Sequence, residues 1–220
     1  MDGSAADDAS AASPFVLLDV DGVLHPLKAS GHPLHASMDE LTRRCDDELN
    51  NEDDERVGET VRGEFLPENM QALAWIVRET NARIVLSSTW RETAPQRRAV
   101  DAQLALHGIP PAIGATPRLP ILSGGRAAEI LAWVDAAEFA SAGTCYWIAL
   151  DDLPLEGLPP DCFVKVDPVH GLTIGDAERV CECLRAQRRR ADAALAEADH
   201  RRRLQVTSAG LAALGVEAPQ

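Results

Sequence analysis

Two aspartates, Asp19 and Asp21, stand one residue apart at the end of the apolar run Phe15-Val16-Leu17-Leu18, just before Gly22. Side chains alternate along a strand, so positions i and i+2 point to the same side. Two carboxylates crowded on one side repel each other unless a cation sits between them or one is protonated. A strand that simply ends in a polar Asp-Gly turn is the plain alternative, and it would ask nothing of the rest of the chain. Three more polar groups recur in similar settings. Ser87-Ser88-Thr89-Trp90-Arg91 follows the apolar stretch Ala82 to Leu86, Asp151-Asp152 follows Tyr146 to Leu150, and Gly124-Gly125-Arg126 opens a helical pattern between them. The carboxylates suit a hard cation, and the hydroxyls and guanidinium suit a phosphate. Phosphoryl transfer needs such a set: a nucleophile, a proton donor, a metal and donors for the equatorial oxygens.

The elements that must position these residues follow from periodicity. Short apolar runs ended by turn residues read as buried strands: Phe15 to Leu18, Ala82 to Leu86, Tyr146 to Leu150 and Cys162 to Val166, with a shorter one at Ala112 to Ala115. Helical patterns lie between them. One starts at Pro67-Glu68, a good helix entry, with Met70, Leu73, Ala74 and Val77 on its apolar face. Others cover Thr93 to Leu106 and the stretch from Ser123-Gly124-Gly125-Arg126 onward, whose inner face is Ala127, Ile130, Leu131 and Val134. A last one starts near Thr173 to Asp176, where Thr-x-x-Asp resembles a capping box, and it buries Ala177, Val180, Cys181 and Leu184. Strands alternating with amphipathic helices give an α/β fold, a parallel sheet with helices on both faces. In such sheets ligands bind at the carboxyl ends of the strands, where every polar group above falls.

Composition sets the frame. The chain has 220 residues and a net charge of −14. Ten acidic residues against three arginines between Asp39 and Glu59 leave that segment at −7, half the total. Such a balance opposes tight nonspecific binding of nucleic acid. Residues 1–13 form an acidic Ser/Ala-rich tail without the marks of a signal or transit peptide, and no apolar run reaches membrane-spanning length. The five cysteines, odd in number and without C-x-x-C spacing, fit a reduced, cytoplasmic setting. Residues 14–187 form the expected catalytic domain. Residues 25–64 read as an acidic insertion or flap of low apolar content, removable at little cost in stability, and residues 188–220 as an Arg/Ala-rich helix and tail. Trp90, Trp133 and Trp147 read as core residues, and His25 as a loop residue that could contact substrate.

In order, Asp19-Val20-Asp21-Gly22-Val23-Leu24, Ser87, Arg126 and Asp151-Asp152 resemble the four motifs of the haloacid dehalogenase (HAD) superfamily. Finer features resemble the HAD domain of Swiss Army knife RNA-repair proteins: Leu86-Ser87-Ser88-Thr89-Trp90-Arg91, Thr116-Pro117-Arg118-Leu119, Glu129-Ile130 after Arg126, and Val166-Asp167-Pro168 leading to Gly171-Leu172-Thr173. The resemblance implies a Rossmann-like core without a large cap domain. It implies that Asp19 attacks phosphorus to give an aspartyl-phosphate, and that Asp21 protonates the leaving oxygen and then activates water. Mg²⁺ would be held by Asp19, the backbone carbonyl of Asp21 and an acid from Asp151-Asp152. Ser87, with Ser88 as its alternate, would bind phosphoryl oxygens. The superfamily commonly has Lys where this chain has Arg126, so Arg126 and Arg91 both stand as candidates for neutralising the phosphate.

Three functions compete on this reading. The first is a Mg²⁺-dependent phosphatase acting on a small phosphorylated molecule. The second is processing of phosphate ends on RNA or DNA, to which the arginines at 188–190 and 201–203 could contribute. The third is a module that binds a phosphorylated ligand or protein without turnover, which would not need both Asp19 and Asp21.

Overall fold

A computed structural model describes residues 13–25, 65–120, 124–141 and 145–213. Five strands form one parallel sheet: β1 (Phe15–Leu18), β2 (Arg83–Leu86), β3 (Gly114–Ala115), β4 (Trp147–Asp151) and β5 (Phe163–Lys165), in the order β3-β2-β1-β4-β5. The helices are α1 (Pro67–Thr80), α2 (Ala94–Leu106), α3 (Gly125–Ser141) and α4 (Ile174–Ala213). The strand order grows one way from β1 to β3 and the other way from β4 to β5, so the direction reverses between β1 and β4. Such a switch leaves a crevice at the carboxyl ends of those strands.

Alternation along β1 sends Val16 and Leu18 to one face and Phe15 and Leu17 to the other. The first face is covered by residues of α1, α2 and α4, including Met70, Leu73, Val100, Leu104, Val180 and Leu184. The second is covered by Ala127, Ile130 and Val134 of α3. Helices therefore lie on both faces, as the periodicity predicts, and the described residues form no cap domain.

Register brings the polar groups together. Leu18 is level with Leu86 of β2 and with Leu150 of β4. The ladder runs one bond further on each side: Asp19 N–H donates to the Leu150 carbonyl at 2.9 Å and Ser87 N–H to the Leu18 carbonyl at 2.8 Å. Asp19, Ser87 and Asp151 thus leave three adjacent strands at the same height.

Local chemistry sets several element ends. Thr93 caps α2, its hydroxyl accepting from Gln96 N–H. Thr173 and Asp176 form the reciprocal capping box: Thr173 Oγ1 accepts from Asp176 N–H and Asp176 Oδ2 accepts from Thr173 N–H, at 3.2 and 3.1 Å. The four residues expected to face inward from α4 are all buried.

The inner face of α1 differs from the expectation. It comprises Asn69, Met70, Ala72, Leu73 and Ile76, while Ala74 and Val77 are only half-buried. Asn69 lies on this buried face, and its side-chain amide donates to the carbonyls of His170 and Leu172 at 3.0 and 2.9 Å. Leu172 N–H in turn donates to the Val23 carbonyl at 2.7 Å, so this link supports the turn after β1 from behind.

Residues 26–64 and the tail 1–12 lie outside the described residues, and the expectations for them with them. Leu66 N–H donates to the Leu24 carbonyl at 3.2 Å, so the chain re-enters the described structure where it left it. His25, read from sequence as the first residue of the insertion, is instead buried in the turn after β1. The chain divides into two compact units, 1–184 and 185–220. Within the second unit Arg201 pairs with Glu197 at 2.5 Å and Arg202 with Asp199 at 4.0 Å, both along the helix. No described helix is long and apolar enough to cross a membrane. None of the four described cysteines forms a disulfide.

Candidate active site

Asp19 sits where β1 ends, 3% exposed. Its Oδ1 accepts from Val20 N–H at 2.8 Å and its Oδ2 from Arg126 Nη1. The same Nη1 donates to Asp151 Oδ2 at 2.7 Å, so one guanidinium nitrogen bridges two carboxylates from two strands. Arg126 can do this because α3 starts immediately before it, at the carboxyl edge of the sheet. Burial pushes the Asp19 carboxyl up to about 6; Arg126 opposes that rise and the charge of Asp151 adds to it. Burial disfavours the charge of Arg126, yet the attraction of Asp19 and Asp151 outweighs it and holds the guanidinium above its ordinary value.

Asp152 completes a cluster. Carboxylate oxygens of Asp19, Asp151 and Asp152 all lie within 4.8 Å of one another, and all three residues are buried. Burial, then the neighbouring Asp151 charge, holds the Asp152 carboxyl above its ordinary value. Asp151 is fixed by Leu153 N–H, which donates to its Oδ1 at 2.9 Å. Gly22 makes room for Asp152: it has φ +76°, and a Cβ there would lie 2.5 Å from Asp152 Cγ. A residue with a side chain would be strained there and would push Asp152 out. Three buried carboxylates facing one guanidinium leave an excess of negative charge, and oxygen donors this close suit a hard divalent cation. The residues present therefore fit a metal, held by Asp19, Asp151 and Asp152. The Asp21 carboxylate is not in this cluster.

Asp21 is instead held by nitrogen donors. Its Oδ1 lies 3.1 Å from His25 Nδ1, and its Oδ2 accepts from the Trp90 indole N–H at 3.0 Å. Trp90 belongs to the core as expected, but its polar tip reaches the site, a role that apolar patterning does not reveal. The available signal was its place just past a strand end, where an indole donor meets the ligand edge of the sheet.

Ser87 and Ser88 are both buried. Ser88 Oγ accepts from Trp90 N–H at 3.4 Å. Ser87 Oγ has no hydrogen-bond partner among the described residues. Leaving a buried hydroxyl unpaired costs about 1–3 kcal/mol, so a ligand oxygen at this point would restore a bond.

The two arginines separate cleanly. Arg126 touches the carboxylates. Arg91 faces the backbone, its Nη1 donating to the Ser87 and Ser88 carbonyls at 3.1 and 2.7 Å and its Nη2 to Glu129 Oε2 at 2.5 Å. Glu129 Oε1 also accepts from Leu119 N–H at 3.0 Å. Glu129 lies one helical turn beyond Arg126, so α3 fixes both the carboxylate pair and the serine turn. Sequence pattern alone gives Glu129 no chemical role; its i+3 spacing from Arg126 was the usable sign.

Residues 15–177 match the family described as the HAD domain in Swiss Army Knife RNA repair proteins. The chain belongs to this family. The match spans all five strands and every residue of the site above, and it gives the protein a HAD-type hydrolase domain. HAD domains generally use a divalent metal, which agrees with the buried triad of Asp19, Asp151 and Asp152. No curated protein and no solved structure matches the chain significantly.

Proposed function

We propose that this HAD domain hydrolyses a phosphomonoester with Mg²⁺, through a covalent phosphate on Asp19. The observation that supports this most directly is Asp19 itself, a buried carboxylate that accepts from Val20 N–H and from Arg126 and also interacts with the Ser88 hydroxyl. A bound Mg²⁺, held by Asp19, Asp151 and Asp152, would supply charge neutralisation for the carboxylates and the phosphoryl oxygens. Asp19 attacks phosphorus as the ester oxygen departs. Asp21, oriented by its two nitrogen donors, gives that oxygen a proton. It then takes a proton from the water that attacks phosphorus and frees Asp19. Ser87 donates to one phosphoryl oxygen, and Arg126 exchanges part of its carboxylate bonding for another.

A phosphorylated RNA or DNA end is the second reading of the substrate, favoured by the RNA-repair proteins for which the family is described. The net charge of −14 weighs against it and leaves a small phosphate ester slightly ahead. A screen of small phosphomonoesters beside 5′- and 3′-phosphorylated oligonucleotides, with Mg²⁺ and with chelator, tests both. Metal-dependent phosphate release by the wild type and none by Asp19→Asn supports the proposal. Binding of phosphate esters without release would point to a non-catalytic module.

A further inference from the structure

The phosphohydrolase reading assigns work to Asp21 without explaining how a side chain at an open edge keeps its aim. The Asp21 side chain is 25% exposed. The terminal torsion of an aspartate is broad, so an unheld carboxylate sweeps through many orientations. Here each oxygen has one nitrogen partner, His25 Nδ1 on Oδ1 and Trp90 Nε1 on Oδ2, at 3.1 and 3.0 Å. An ionised carboxylate offers about four lone-pair sites. With His25 in its Nδ1–H form, two N–H donors fix the plane and still leave one site on each oxygen for the reacting proton.

Trp90 suits this task because it is buried and held on several sides. It is 1% exposed, its ring meets Phe65 edge-on at 5.5 Å and 72°, and its backbone N–H donates to Ser88 Oγ. It lies in the one-turn helix Thr89–Arg91, directly after the Ser87-Ser88 pair. Arg91 locks the carbonyls of that same pair. The turn that presents Ser87 to a phosphate therefore also carries the donor that aims Asp21. An indole N–H only donates, so Trp90 takes no part in proton transfer itself.

We propose that Trp90 is a positioning residue for Asp21, its indole N–H, with His25 Nδ1 as the second donor, tying the acid/base carboxylate to the turn that grips the phosphate. This inference rests on the phosphohydrolase reading, and two arms separate the fates of the two. The first arm compares Trp90→Phe with the wild type on an alkyl phosphate and on p-nitrophenyl phosphate. The alkoxide must be protonated as it leaves, whereas nitrophenolate needs little help. General acid catalysis contributes about 10²–10⁴-fold, so misaiming Asp21 should cost about tenfold or more in kcat on the alkyl ester. The aryl ester should change less than about threefold, with KM nearly constant for both. Equal losses on the two esters, or no loss on either, would overturn the positioning role. His25→Asn, which keeps a donor near the Nδ1 position, should stay close to wild type, and His25→Ala should repeat the alkyl-selective loss.

The second arm needs no turnover and no change at Trp90. Its indole N–H resonance is one of four tryptophan side-chain signals, and Asp21→Asn should move it upfield as the charged acceptor disappears. An unmoved signal would overturn the inference even in an active enzyme. A wild type that hydrolyses neither ester while the signal moves would instead remove the phosphohydrolase reading, and with it any positioning role in catalysis.

Discussion

The two aspartates at the end of β1 occupy opposite kinds of environment. Asp19 is buried, shares one guanidinium nitrogen with Asp151 and lies against a second and third carboxylate. Asp21 is partly open to solvent, lies outside that cluster and has a nitrogen donor on each oxygen. Two residues of the same type, one position apart, thus differ in solvation, partners and net local charge. On the proposed mechanism, environment assigns the roles. The buried, crowded group suits attack on phosphorus with a cation beside it, and the well-held group suits proton transfer.

Substitutions by asparagine sharpen that contrast most strongly. Asp19→Asn should reduce hydrolysis of every phosphate ester to background, because an amide is a poor nucleophile. Asp21→Asn should instead lose about 10²–10⁴-fold on esters with poor leaving groups and much less on aryl esters. Steady-state assays on a leaving-group series would separate the two patterns, and parallel losses would erase the distinction.

The crowded side should also depend on metal. Asp151→Asn and Asp152→Asn should each weaken Mg²⁺ binding measured by calorimetry, by at least about tenfold, the scale on which even outer ligand partners act. Asp21→Asn should leave that affinity nearly unchanged.

Gly22 joins the two regions and should be intolerant for a geometric reason. Gly22→Ala must place a side chain at φ +76° with its Cβ 2.5 Å from Asp152 Cγ. A strained backbone position of this kind costs about 1–3 kcal/mol, and displacement of Asp152 adds a loss of Mg²⁺ affinity. Denaturant unfolding and calorimetry would record both.

Asp19 gives the pH dependence. Its carboxyl keeps its proton up to about pH 6 in the folded protein, against an ordinary value of 3.8. Between those values the folded state binds the extra proton. Stability of the metal-free protein therefore falls as pH rises through that window and stays lower above it. The separation corresponds to about 3 kcal/mol at most. In chelator at pH 7.5, Asp19→Asn should be more stable than the wild type by about 1–3 kcal/mol, and the gap should close near pH 4. A constant gap at both pH values would show that Asp19 carries no such burden.

The smallest effect concerns the second unit. Arg201 and Arg202 pair with acids on their own helix, as a solvated helix does. If nucleic-acid ends are the substrate, replacing Arg201, Arg202 and Arg203 with Gln should raise KM for an oligonucleotide. On a single strand the salt slope should fall by about 0.7 for each phosphate that the arginines no longer neutralise. A small ester should be unaffected, and equal responses would assign the arginines to solvation alone.

Much of this arrangement was legible in the sequence because it follows from strand ends. Apolar runs stopped by Asp19, Ser87 and Asp151 announced a parallel sheet, and equal register then placed the three residues side by side. What escaped were hydrogen bonds made by residues that patterning assigns to another duty. Asn69 sits on the buried face of α1, where its amide ties two loop carbonyls. Trp90 counts as apolar, yet its N–H serves Asp21. Arg91 looks like a phosphate donor in sequence, but backbone carbonyls and Glu129 take its guanidinium. Periodicity records burial; it does not record where a polar atom on a buried residue points.

Covalent participation of Asp19 is the claim on which the rest depends, and chemical trapping tests it directly. Wild-type protein with Mg²⁺ would be quenched in acid during turnover of a phosphate ester and treated with borohydride, which reduces an acyl phosphate to an alcohol. Peptide mass spectrometry should then find homoserine in place of Asp19, absent from samples without substrate and from Asp21 under all conditions. Rapid phosphate release with unmodified Asp19 at every quench time would contradict the account, and reduction at Asp21, Asp151 or Asp152 would move the nucleophile elsewhere.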